Sequence, residues 1–182
     1  MPNKPTLDKT HPQLAKEWHP TKNGDLKPSD ITYGSKSKVW WKCGKGDDHE
    51  WFASIGNRAR LNRGCAVCAN KRVVDSNCLS TTHPNFALEW HPTMNNPLTP
   101  RDFVAGSGKI VWWKCGKGED HIWEAKIANR TYLNRGCPVC SGHKVVFSNS
   151  LQAVYPEIAS ELHPTKNGEL TPENIYAGGA NK

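Results

Sequence analysis

Residues 39–51 read VWWKCGKGDDHEW, and residues 111–123 read VWWKCGKGEDHIW. The two stretches lie 72 residues apart, and the same offset aligns the chain with itself without insertion. Cys43, Cys65 and Cys68 recur as Cys115, Cys137 and Cys140, and His49 recurs as His121. Self-similarity at a fixed period marks an array of small supersecondary units, each too short to bury a core alone. The repeat divides the chain into residues 1–78, residues 79–150 and a third copy, 151–182, which carries none of the cysteines.

Within each copy the spacing is Cys-x5-His, fifteen residues, then Cys-x2-Cys. Three thiolates and an imidazole at such spacing suit a tetrahedral zinc ion and fill all four of its positions, so none is left open for catalysis. The expected ligands are Cys43, His49, Cys65 and Cys68 in the first site, and Cys115, His121, Cys137 and Cys140 in the second. Two structural zinc ions follow. His19, His91 and His163 also recur and compete for the fourth position. His163, however, sits in a half-repeat without cysteine, which suits a role at a helix end better. Seven cysteines is an odd number in metal-like spacing, so disulfides are the weaker reading. Cys78 aligns with Ser150 and is expected to be a thiol outside the ligand sets.

The segments THPQLAKEWHP (10–20), THPNFALEWHP (82–92) and VYPEIASELHP (154–164) open the three copies. Pro12, Pro84 and Pro156 suit a first helical turn, and Pro20, Pro92 and Pro164 end the helix after about two turns. Leu14, Ala15 and Trp18, with their counterparts, share one face. A polar reversal follows, and then Pro28, Pro100 or Pro172 starts a single helical turn. The metal half reads as two short strands, Val39–Cys43 and one on which Trp51, Ala53 and Ile55 alternate, then a loop through Asn57, Arg58 and Arg63 into the knuckle GCAVC or GCPVC. Of two adjacent strand tryptophans, one faces the core; in so small a unit burial of both Trp40 and Trp41 is favoured. The fold class is small α+β, with zinc-stabilised tandem ribbon or treble-clef-like modules of short β-hairpins and short helices.

The motifs W-W-x-C, H-x-W, N-R and G-C-P-x-C resemble a family of zinc-ribbon repeats from bacteria, phages and giant viruses. The likeness extends to HPTKNG and LTP in the helical halves, so it covers almost the entire chain. The first copy departs from the pattern at Ala66, where the family carries proline. The resemblance implies treble-clef or ribbon fingers, some of whose relatives are joined to nuclease domains, and so implies nucleic-acid targeting.

The chain carries 24 Lys and Arg against 17 Asp and Glu, a net charge of +7. Six thiolates on two zinc ions lower this to roughly +5. A basic protein favours nucleic acid or another polyanion as partner. The cations that recur beside the ligands are Lys42, Lys45, Arg58 and Arg63, with Lys114, Lys117, Arg130 and Arg135. Held at fixed pitch, they suit a phosphate track. The competing reading of Arg58 is a structural clamp over tryptophan. No apolar run reaches membrane-spanning length and no signal-peptide core follows Met1, so an intracellular, cytoplasmic location is expected. No catalytic constellation stands out, and the chain is not expected to be an enzyme. The expected function is binding of nucleic acid, duplex DNA in particular, as a targeting module for a nuclease or other effector. The alternative is a protein-interaction scaffold in which zinc only maintains the fold. The third half-repeat is expected to pack on the second metal module.

Overall fold

The computed structural model describes residues 5–178. Residues 1–4 and 179–182, the outermost parts of the first and third repeats, lie outside the described residues. The chain forms two compact units, Met1–Thr81 and Thr82–Lys182. None of the described helices is long and apolar enough to cross a membrane.

The first unit opens with two single-turn helices, α1 (Leu7–Thr10) and α2 (Pro12–Ala15), then a 3-10 turn at Pro28–Asp30. The helix expected to run from Pro12 for about two turns stops after one, at Ala15, and a further turn, α1, precedes it. The two are separated at His11, whose φ of −137° leaves the helical region just before Pro12. A hairpin follows, β1 (Lys38–Lys42) and β2 (Glu50–Ser54), antiparallel with Trp40 opposite Phe52 and Trp41 opposite Trp51. Helix α3 (Ile55–Leu61) then occupies the stretch read from sequence as a loop. Single residues mark its ends. The Ser54 side chain accepts a hydrogen bond from the Asn57 N–H, and Asn62 closes the helix in the left-handed region. Such short elements are marginal alone and depend on tertiary packing.

That packing comes from the helical half lying on the hairpin that follows it. The Glu17–His19 segment runs beside β1 as a partial third strand: Lys42 N–H donates to the Glu17 carbonyl at 2.8 Å and His19 N–H to that of Trp40 at 3.1 Å. The Asn23 amide adds two bonds to the Trp40 backbone, at 2.8 and 2.9 Å. Trp18 meets Trp41 edge to face, ring centres 5.5 Å apart. Leu7, Val39, Trp41, Trp51, Ile55 and Val67 form the core together with Cys43 and Cys65, and Ile31 packs against it. Trp41 is fully buried, whereas Trp40 is only half-buried on the outer face.

The plan repeats with α4 (Leu79–Thr82), which spans the boundary between the units in the chain, and then, in the second unit, α5 (Pro84–Ala87), β3 (Ile110–Lys114), β4 (Ile122–Lys126) and α6 (Ile127–Thr131). Helix α6 is shorter than α3 and has no side-chain cap, because Lys126 stands where Ser54 caps α3. Helices α7 (Leu151–Val154) and α8 (Pro156–Ser160) belong to the third half-repeat. Of its apolar triad Ile158, Ala159 and Leu162, only Ala159 is buried. This half-repeat meets the second metal half through the Tyr176 ring, which lies over Gly142, and a hydrogen bond from Ala177 N–H to the Asn149 carbonyl at 3.0 Å.

Candidate metal centre and basic surface

The hairpin itself brings the first two ligands together. Register pairs Lys42 with Glu50, so Cys43 and His49 follow as the next opposed residues, joined by a bond from Cys43 N–H to the His49 carbonyl at 3.1 Å. Helix α3 returns the chain to present Cys65 and Cys68 on a knuckle anchored by Val67, which is fully buried. Cys68 N–H points at the Cys65 sulfur at 3.5 Å. The four ligand atoms of each set, Cys43/His49/Cys65/Cys68 and Cys115/His121/Cys137/Cys140, lie within 4.8 Å of one another.

Finer distances test the metal. The Cys43 sulfur is 3.7 Å from that of Cys68, and His49 Nδ1 is 3.5, 3.7 and 3.3 Å from the sulfurs of Cys43, Cys65 and Cys68. The second set gives 3.6 Å between Cys115 and Cys140, with His121 Nδ1 at 3.4, 3.7 and 3.3 Å from its sulfurs. A tetrahedral zinc with bonds of about 2.3 Å to sulfur and about 2.0 Å to nitrogen has edges of about 3.8 Å between sulfurs and about 3.5 Å between sulfur and nitrogen. Both clusters fit two structural zinc ions, bound through histidine Nδ1. Burial first, then the neighbouring sulfurs, pushes the Cys68 thiol up to about 11 and the Cys140 thiol up to about 12. A divalent cation reverses that preference by stabilising the thiolates.

Outer contacts orient the imidazole. His49 Nε2 lies 3.3 Å from the Ser76 hydroxyl and 4.0 Å from the Asp48 carboxylate, whose other oxygen accepts from Ser76 N–H at 2.8 Å. Asp120 and Ser148 repeat the carboxylate clasp at 2.9 Å. The Asn77 amide ties the knuckle to the following turn through the Val67 and Arg72 carbonyls, and Asn149 does the same with Val139 and Lys144. Gly46 is required by the ring itself, since a Cβ there would stand 2.7 Å from His49 Cδ2; at Gly118 the distance to His121 Cδ2 is 2.5 Å. Sequence reasoning passed over these residues, although Gly-Asp-Asp-His, Gly-Glu-Asp-His and the two Ser-Asn pairs all recur. Gly46→Ala is therefore expected to weaken the first site about 10- to 100-fold in a chelator competition and leave the second unchanged.

The family model described as "Probable Treble clef zinc finger domain" matches residues 14–71 and 86–143. The chain belongs to that family. Each treble clef match begins inside a helical half and ends just beyond the second knuckle cysteine, which agrees with the helical half serving the hairpin that follows it. No curated protein matches the chain.

The competing histidines are not ligands in these treble clef units. His19 is buried, its Nδ1 accepts from Thr21 and Lys22 N–H at 3.2 and 3.1 Å, and its Nε2 meets Glu50 at 2.9 Å. Lys22, first, and His19 together hold the Glu50 carboxyl down at about 2. His91 and His163 accept backbone bonds in the same way. Cys78 also stands apart from both clusters, with its sulfur 3.1 and 3.3 Å from the hydroxyls of Ser80 and Thr81.

The eight basic residues separate into three groups. Arg58 and Arg130 are buried at 5% and 1% exposure. Arg58 lies 4.8 Å from the ring centres of both Trp41 and Trp51 and pairs with Glu17; Arg130 lies 4.9 Å from Trp113 and Trp123 and pairs with Glu89. This corrects their assignment to a phosphate track: the clamp over tryptophan removes both from the surface. Lys42 and Lys114 are half-buried and face carboxylates on their own hairpins, Asp47 with Glu50 and Glu119 respectively. Lys45, Arg63, Lys117 and Arg135 are exposed, and none pairs with a carboxylate among the described residues.

Proposed function

We propose that the chain is a non-enzymatic pair of zinc-folded treble clef modules that binds nucleic acid, acting as a targeting element for an effector. The observation that carries this reading is the set of Lys45, Arg63, Lys117 and Arg135. Each stands two residues from a metal ligand, so the zinc fold fixes its backbone, and each is exposed without an acidic partner among the described residues. Ordered, unneutralised cations are what a phosphate backbone selects. The saturated Cys3His sites offer no open coordination position for chemistry.

A salt titration against duplex DNA, single-stranded DNA and RNA tests it. Each phosphate contact contributes a slope of about −0.9 on duplex or −0.7 on single strands to the logarithm of the association constant, so four contacts raise log Kd by roughly 3 to 4 per decade of salt. Replacing all four cations by alanine is expected to remove most of the slope, while Lys9→Ala leaves it unchanged. Salt-insensitive binding, or none to any of the three, overturns the reading. It would favour the scaffold alternative, which draws on exposed Leu88, Tyr132 and Phe147 in the second unit, at 84%, 65% and 70% exposure.

A further inference from the structure

The metal knuckle carries a concavity at the same place in both units. In the first it is a groove of about 400 Å³ whose wall includes Arg63, Gly64, Ala66, Ala69 and Lys71. In the second, a concavity of about 530 Å³ is lined by Arg135, Gly136, Pro138, Ser141 and His143, the same five positions 72 residues on. Recurrence at aligned positions makes the hollow a property of the fold. Its chemistry, however, differs between the copies.

In the first unit the groove continues along β2, past Trp51 and the buried Arg58, to Phe52 and Lys38. Phe52 is 54% exposed, although a phenyl ring on a strand normally seeks cover. Its cross-strand partner Trp40 braces it, with ring centres 5.5 Å apart, so the ring is presented rather than free to swing. Lys38, Arg63 and Lys71 line the same groove, all three are exposed, and none has a carboxylate partner among the described residues. In the second unit Phe52 becomes Glu124, Lys38 becomes Ile110 and Lys71 becomes His143. The charge follows the same division: residues 1–81 hold 14 Lys and Arg against 8 Asp and Glu, and residues 82–182 hold 10 against 9.

We infer that the groove of the first unit is a nucleotide site for an unpaired strand, with one base stacked on Phe52 and the adjoining phosphate held by Arg63 and Lys71. An exposed, braced aromatic ring within a cationic rim is the arrangement by which proteins hold single-stranded nucleic acid, because every base offers a π-face to the ring and every nucleotide a charge to the rim. A volume of about 400 Å³ falls within the range of small-molecule sites, roughly 300–1,000 Å³. Duplex DNA keeps its base faces stacked and offers Phe52 nothing, so the inference turns the expected partner from duplex to unpaired strand. The second unit, with Glu124 in place of the ring, supplies phosphate contacts only. This inference rests on the nucleic-acid reading and makes it specific.

The test uses the full, zinc-loaded chain and fluorescence anisotropy with three probes: a short labelled oligothymidylate, an abasic deoxyribose-phosphate strand of equal length, and polyglutamate. Oligothymidylate is expected to bind about tenfold more tightly than the abasic strand. Phe52→Ala is expected to erase that preference while keeping the abasic affinity, and Phe52→Tyr to restore it. Arg63→Ala with Lys71→Ala should weaken both strands alike. Because Phe52 is exposed, its replacement leaves the core intact, and retention of two zinc ions verifies this. Equal affinity for the two strands, or Phe52→Ala indistinguishable from the original, overturns the stacking site while leaving the phosphate-binding reading in place. Polyglutamate binding that matches oligothymidylate in strength and in dependence on Phe52 assigns the groove to acidic peptide instead. Binding of neither strand, with duplex also unbound, fails both readings together.

Discussion

Chelation of zinc is expected to unfold both hairpins, and Cys65→Ser to lose one ion while the second site stays filled. The cysteines are not attached to a finished core; Cys43 and Cys65 are part of it, packed with Trp41, Trp51 and Val67. Without a cation, three sulfurs and an imidazole nitrogen crowd within 4.8 Å, and burial with neighbouring sulfurs holds the Cys68 thiol up at about 11. Zinc reverses this, and in fingers of comparable size its binding supplies roughly 10–16 kcal/mol of folding free energy. Few other residues could replace that in either unit, whose helices are mostly single turns. Independence follows from geometry, because all four ligands of each site come from one compact unit. Metal content by mass spectrometry, with tryptophan fluorescence and circular dichroism in chelator, measures both effects. The pH sign is fixed as well: the metal displaces thiol protons on binding, so affinity falls as pH is lowered. A single ion per chain, or hairpins that survive chelation, would sink the two-site structure.

The metal clusters were legible in the sequence because the constraint is local and chemical. Ligand spacing survives duplication letter for letter, and the hairpin and knuckle are the shortest chain paths that close it. What escaped was set by tertiary contacts. Helix α3 was unreadable because Gly56 and Asn57 weaken its propensity; packing of the buried Ile55 and Arg58 holds it, as Ile127 and Arg130 hold the uncapped α6, and the Ser54 cap goes with its greater length. The break between α1 and α2 turns on the φ of His11, which periodicity does not encode. The division among the basic residues was only half visible, with the clamp over tryptophan standing as the competing reading of Arg58. Arg58 and Arg63 look alike in sequence, yet one lies between two tryptophans and the other faces solvent. A signal was present: Glu17 and Glu89 recur 41 residues before Arg58 and Arg130, and Trp41 and Trp113 recur with them. An acid, an arginine and a tryptophan preserved together at fixed offsets describe a clamp better than a phosphate track.

Arg58→Ala is accordingly expected to destabilise the first unit by about 2–4 kcal/mol, an effect larger than that of any exposed cation. A desolvated cation–π contact is worth about 2 kcal/mol or more, and this guanidinium makes one with each of two rings. Loss of the Glu17 partner adds to that, by less than for a fully buried pair, since Glu17 is 37% exposed and regains water. The vacated space lies beside Trp41, which is fully buried and loses packing on that side. Arg58→Lys is expected to recover less than half, because an ammonium cannot stack flat against two rings while bonding Glu17. Arg63→Ala, at an exposed position, should change stability by no more than about 0.5 kcal/mol. Urea unfolding in buffered zinc, followed by tryptophan fluorescence, compares the three variants. The two arginines then exchange roles in a binding assay: below its unfolding midpoint Arg58→Ala keeps the salt slope, and Arg63→Ala reduces it. An Arg58→Ala midpoint no lower than that of Arg63→Ala would show that the clamp stabilises nothing, and would return Arg58 to the candidate phosphate contacts.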